Sequence, residues 1–144
     1  LMVCVWTGDI AALYVGRAFG KHKLAPHLSP GKTWEGAIAS IAGSILAAAI
    51  VVLISDALTA RGNLLIHISQ PLWQSLLLAA ILNVAAQLGD LLESAIKRGA
   101  GVKDSGTMLP GHGGILDRID ALLLATPILW FALLIKDFFG LGRF

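Results

Sequence analysis

Three carboxylates stand where apolar stretches of this chain meet charged ones. Asp90 lies near the end of one such stretch, and Asp117 and Asp120 open the next. Asp117 and Asp120 are three residues apart, so a helix places them on one face of its first turn. Acids gathered without a cation repel, and one of them must then stay protonated. A hard divalent cation such as Mg²⁺ removes that conflict, because it takes one or two carboxylates and leaves its other positions to water and phosphate. Two structural readings compete with a metal site. The helix macrodipole favours acids at an N-terminus, and Asp90 has Lys97 and Arg98 within pairing distance along the sequence.

The segment joining these stretches is rich in glycine and bracketed by bases. Gly99 and Gly101 end a helix, and Pro110 to Gly114 leads into the next. Gly111, Gly113 and Gly114 let backbone N–H groups approach an anion closely, and the following helix adds its positive dipole end. Lys97, Arg98, Lys103 and Arg118 surround this region and suit phosphate oxygens. An earlier loop carries Ser29-Pro30-Gly31-Lys32-Thr33-Trp34-Glu35-Gly36. Its Gly-Lys-Thr is not a Walker A loop, since Pro26 occupies the position of the required upstream glycine and no strand precedes it. Locally, Ser29-Pro30 reads as a turn and Thr33 as an N-cap.

The elements that position these groups are membrane helices. Of 144 residues only 11 are Lys or Arg and 9 are Asp or Glu, while 56 % are hydrophobic. Mean hydropathy is +0.78. This excludes a disordered chain, a disulfide-stapled secreted module and an ordinary water-soluble domain. One cysteine, Cys4, allows neither an internal disulfide nor a zinc site. A net charge of +2 without basic, aromatic-interleaved stripes argues against nucleic acid. Gly36 to Ser55 is 20 residues long without Asp, Glu, Lys or Arg, enough for one crossing. Gly62 to Gly89 is similarly free of charge and most apolar from Pro71. Ala121 to Ile135 is short for a span, so its helix must begin near Ile115 and draw Asp117, Arg118 and Asp120 into the membrane edge. Leu1 to Gly16, interrupted by Asp9, reads as a further span. The expected fold is therefore an all-α polytopic bundle of about four transmembrane helices.

Loop charges orient the bundle. Arg17, Lys21, Lys23 and Lys32 follow the first span, and Lys97, Arg98 and Lys103 follow the third, whereas only Arg61 separates the second from the third. Alternation puts both basic loops on one face, and the positive-inside bias makes it cytoplasmic. Asn83, Gln87, Asp90, Ser94 and Lys97 fall on one side of the third helix. Glu93 is expected to pair with Lys97 at the surface. His22, His27 and His67 are isolated and read as interfacial. Asp9 divides evenly between a structural interfacial role and a place in the same cavity. Nothing at the front resembles a signal peptide. We expect one domain, residues 1–144, lacking N-terminal helices.

The run Ser94-x-Ile96-Lys97-Arg98-x4-Lys103-Asp104-x-Gly106-x2-Leu109-Pro110-x-His112-Gly113-Gly114-Ile115-x-Asp117-Arg118-Ile119-Asp120 resembles the signature of the phosphatidate cytidylyltransferases, or CDP-diacylglycerol synthases. Gly8-Asp9, Gly16-Arg17-x-Phe19-Gly20-Lys21 and the Ser29 to Gly36 segment resemble the same family. The resemblance implies an enzyme of phospholipid biosynthesis in the cell membrane that moves CMP from CTP to phosphatidate with the help of Mg²⁺. On that basis Asp90, Asp117 and Asp120 are expected to bind metal. Lys97, Arg98, Lys103, Asp104 and Arg118 are the expected catalytic set, and Ser29, Lys32, Thr33, Glu35, Ser94, His112, Gly113 and Gly114 are expected to bind substrate. CTP, phosphatidate and the bilayer are the expected partners, and a homodimer stays open. The rivals are a CTP-dependent polyprenol kinase or an ether-lipid cytidylyltransferase on the same scaffold. From another class, a cation channel or transporter also holds acids between helices, but would place them nearer the bilayer midplane.

Overall fold

Each uncharged stretch becomes one long helix. The computed structural model of the chain describes residues 1–63, 68, 70–102, 105–106 and 116–138, the side chains at 116–118 and 137 excepted. Its helices are α1 (Met2–Phe19), α2 (Trp34–Ala60), α3 (Leu72–Gly99) and α4 (Leu116–Phe138), all four long and apolar enough to cross a bilayer. The last begins at Leu116, close to where a full crossing requires it. Between α1 and α2 lies an antiparallel hairpin of β1 (Lys23–Ala25) and β2 (Ser29–Thr33).

That hairpin corrects the reading of Ser29-Pro30 as a turn. The reversal instead occupies the three residues before them, where the Leu28 N–H donates to the Ala25 carbonyl at 3.2 Å. Pro26 stands at the second position of that turn, where its fixed φ suits the bend. Ser29 and Pro30 then start β2. The expectation for Thr33 holds: its Oγ1 accepts from the Gly36 N–H at 3.1 Å and caps α2.

The bundle is inverted relative to a water-soluble one. Ser40, Ser44, Ser55 and Asn83 are buried, while Trp6, Ile38, Leu46, Leu53 and Trp130 are exposed. Lipid tails solvate the outer apolar surface as well as a protein core would, so helix association relies on close packing and interior hydrogen bonds. Small residues provide the first. A methyl group added to Gly36 would stand 3.0 Å from the Ala12 carbonyl oxygen, and one on Gly43 would stand 2.9 Å from the Ala11 Cβ. Thus α1 and α2 touch almost backbone to backbone. Asn83 provides the second, donating to Ser40 Oγ at 3.0 Å and Ser44 Oγ at 2.7 Å, while Ser44 donates to the Cys4 carbonyl at 2.7 Å.

These contacts fix direction. Asn83 lies against Ser40 and Ser44, Gln87 against Ala37, and Asp90 against Lys32, so α3 runs antiparallel to α2. The apolar centre, Val5, Leu82, Ala85, Ala86 and Ala125, joins α1, α3 and α4. The helix α3 ends in a Schellman turn: the Val102 N–H donates to the Lys97 carbonyl at 2.9 Å and the Gly101 N–H to that of Arg98 at 3.1 Å. Gly101 has φ +72°, a conformation that glycine adopts without a Cβ clash.

Candidate functional site

Antiparallel packing gathers the end of α1, the hairpin, the start of α2, the end of α3 and the start of α4 at one end of the bundle. There a cavity of about 260 Å³ opens, with Asp9, Lys32, Thr33, Gln87 and Asp90 among its polar lining residues and Leu13, Leu24, Ala86 and Ala121 among its apolar walls. Three elements supply these side chains. Asp9 comes from α1, Lys32 and Thr33 from β2, and Gln87 and Asp90 from successive turns of α3. Gln87 is held in place, its amide donating to Asn83 Oδ1 at 2.6 Å and to the Ala37 carbonyl at 3.2 Å.

The acids that converge, among the described residues, are Asp90, Glu93 and Asp120. One carboxylate oxygen from each lies within 4.8 Å of the others. Close helix contact produces this. A Cβ on Gly89 would come 2.6 Å from the Asp120 carbonyl oxygen, so glycine at that position lets α4 cross α3 directly beside Asp90. Two lysines face the acids: Lys32 Nζ is 2.5 Å from Asp90 Oδ2, and Lys97 Nζ is 2.6 Å from Glu93 Oε2. Asp120 Oδ1 also accepts from the Ala121 N–H at 2.7 Å. Three carboxylates against two ammonium groups leave an excess of negative charge. An all-oxygen donor set of this kind fits a hard divalent cation such as Mg²⁺.

Glu93 is the residue that sequence reasoning missed. It does pair with Lys97, but not at the surface, since its side chain is only 2 % exposed. The face of α3 that carries it is covered by the bundle. Its position three residues after Asp90 was the available signal, because that spacing puts both acids on one helical face. The pairing of Asp90 is also new: its partner is Lys32 from the distant hairpin rather than Lys97 or Arg98. Asp9, for which two roles stood equal, lines the cavity.

Other expected residues are placed less centrally. Arg98 is exposed, with Nη1 3.4 Å from the Val102 carbonyl. Ser94 is half-buried on α3 and Ser29 starts β2, and neither lines the cavity. The carboxylate of Glu35 turns to His22, with Oε1 2.7 Å from Nδ1. Asp117 and Arg118 occupy the first turn of α4, with side chains outside the described residues. Lys103, Asp104, His112, Gly113 and Gly114 also lie outside the described residues.

Comparison with known proteins identifies the family. A sequence profile of the cytidylyltransferase family matches residues 1–136. The chain is 46 % identical over 134 residues to a phosphatidate cytidylyltransferase of Brucella suis, and 45 % identical over 131 residues to one of Bacillus subtilis. It is 42 % identical over 127 residues to one of Haemophilus influenzae. These alignments cover 90 %, 91 % and 88 % of this chain but only 44 %, 45 % and 42 % of those proteins. The chain thus spans somewhat under half the length of the curated relatives it matches.

Proposed function

The chain belongs to the cytidylyltransferase family, and from that premise we propose that it carries the site at which CMP passes from CTP to phosphatidate. The products are CDP-diacylglycerol and pyrophosphate. One observation carries this reading: acids from α3 and α4 approach within 4.8 Å of one another beside a cavity that also presents Lys32. The reaction joins two polyanions. A phosphate oxygen of the lipid attacks the α-phosphorus of CTP, the bond from that phosphorus to the bridging oxygen breaks, and pyrophosphate leaves. The nucleophile is already anionic, so the burden falls on charge neutralisation and alignment rather than on a strong base.

Asp90, Asp120 and Glu93 would hold Mg²⁺, joined by Asp117 one turn earlier on α4. Bound there, the cation supplies neutralisation of charge at the α-phosphate and the departing pyrophosphate. Lys32 and Thr33 present an ammonium group and a hydroxyl to phosphate oxygens from the hairpin side. Lys97, Arg98, Lys103 and Arg118 do so from the α3–α4 side, with His112, Gly113 and Gly114 cradling phosphate. The apolar walls and the position at one end of the bundle suit one substrate dissolved in water and another anchored by acyl chains. The excess of Lys and Arg at this end supports a cytoplasmic position for the site.

Product analysis with labelled CTP and phosphatidate tests this in the full-length protein. Mg²⁺-dependent release of pyrophosphate together with labelled CDP-lipid is the expected result. Release of CDP would make the protein a lipid kinase instead. Cation flux in liposomes without CTP would favour a transporter.

A further inference from the structure

The hairpin that carries Lys32 is too slight to hold itself in place. Its first strand has three residues, and only Lys23↔Thr33 and Ala25↔Ser29 are in register, with an irregularity between them. Pro30 contributes no N–H to the ladder. A two-stranded hairpin is at best marginally stable in water, yet Lys32 must be held high enough over the cavity to meet Asp90 at 2.5 Å. Something outside the ladder must fix it.

Glu35 and His22 supply that tie. His22 immediately precedes β1, and Glu35 lies in the first turn of α2 just after β2. The Glu35 carboxylate takes the His22 Nδ1 at 2.7 Å and also accepts from the His22 backbone N–H, 3.3 Å from each oxygen. In the reverse direction the Trp34 N–H donates to the His22 carbonyl at 3.0 Å. One residue at the entrance of the hairpin is thereby bound at three points to the two residues at its exit. The exit is itself anchored to the membrane helix by the Thr33 cap.

We propose that His22 and Glu35 form a strap that clamps the hairpin to the N-terminus of α2 and so positions Lys32 for the substrate phosphates. Both act through Lys32 rather than on substrate. The functional half of this rests on the phosphate-binding role given to Lys32 above. The structural half stands on the contacts alone.

Two measurements on the reconstituted full-length protein test it. The first is hydrogen exchange in the segment 23–33, compared with α3. His22→Ala and Glu35→Ala are expected to speed exchange in the hairpin by at least tenfold and leave α3 unchanged. His22→Asn, whose amide nitrogen occupies the place of Nδ1, is expected to restore most of the protection. The second is a double-mutant cycle on the KM for CTP. His22→Ala should raise that KM about fivefold, as expected for one lost charge-assisted hydrogen bond at an exposed site, with kcat within twofold. In a Lys32→Ala background the same substitution should change nothing further. Unchanged hairpin exchange in His22→Ala overturns the strap, and additive effects of His22→Ala and Lys32→Ala overturn its action through Lys32. A Lys32→Ala protein with an unchanged KM for CTP refutes instead the phosphate role assigned to Lys32, so the two failures are distinguishable.

Discussion

Lys32 on β2 reaches across the cavity to Asp90 on α3, Nζ to Oδ2 at 2.5 Å, and this ion pair ties the loop after the first span to the end of the third. The two side chains are 24 % and 37 % exposed. An ion pair so open to water contributes at most about 1 kcal/mol to stability. Its importance is therefore in what it places: an ammonium group next to an acidic cluster, in reach of any phosphate that enters. Lys32→Ala should lower the thermal midpoint by no more than a few degrees while raising the KM for CTP about tenfold or more. Parallel melting curves and CTP titrations check both halves.

Glu93 offers a sharper test of the acidic cluster, because a plain helix-surface role would make it dispensable. An i,i+4 pair with Lys97 at an exposed site would contribute only about 0.3–0.5 kcal/mol. Buried beside Asp90 and Asp120, it should instead set the affinity for a divalent cation. Glu93→Gln keeps the shape and removes the charge, so the half-saturating Mg²⁺ concentration is expected to rise about tenfold or more, with near-normal activity recovered at high Mg²⁺. Asp90→Asn should not be rescued in that way. Activity as a function of Mg²⁺ separates the cases, and an unchanged Mg²⁺ dependence for Glu93→Gln removes it from the ligand set.

What the sequence made legible follows from period and charge. The four spans, the cap at Thr33 and the polar register from Asn83 to Asp90 all come from local rules: apolar length, N-terminal hydrogen bonding and helical spacing. The burial of Glu93 and the pairing of Asp90 with Lys32 do not, because both depend on which helix faces which. A local pairing of Glu93 with Lys97 explained both residues completely and so hid that α4 crosses the same face. The hairpin was missed for a similar reason. Ser29-Pro30 carries a turn signal, but Pro26 three residues earlier carries an equally good one, and the pairing of β1 with β2 decides between them.

Gly89 sits where α4 crosses α3, and its lack of a side chain has a measurable consequence. A Cβ there would stand 2.6 Å from the Asp120 carbonyl oxygen, which is backbone and cannot swing aside. Gly89→Ala must therefore push the two helices apart at the acidic cluster. A cost of about 1–3 kcal/mol is expected from overpacking, with a loss of activity larger than the loss of folded protein. Gly31→Ala is the matched control, since a Cβ at Gly31 meets nothing within 4 Å. Melting and turnover measured on both variants check the claim. A Gly89→Ala protein as active as Gly31→Ala would show that the helices can shift without disturbing the site.

The orientation of the bundle is open to direct chemical test. Antiparallel α2 and α3 put the hairpin and the end of α3 on one side of the membrane, while Arg61, the C-cap of α2, falls on the other. Arg17, Lys21, Lys23, Lys32, Lys97 and Arg98 gather on the hairpin side, and the positive-inside bias predicts that this side faces the cytoplasm. Cys4 is the single cysteine among these 144 residues, so a background with Cys4→Ser and any cysteine outside them replaced allows one reporter at a time. Gly31→Cys occupies open space in the hairpin, and Arg61→Cys is exposed at the far end. In sealed right-side-out vesicles, a membrane-impermeant maleimide should label Arg61→Cys at once and Gly31→Cys only after permeabilisation. The opposite pattern would put the acidic cluster on the outer face, away from CTP, and would be incompatible with the proposed reaction.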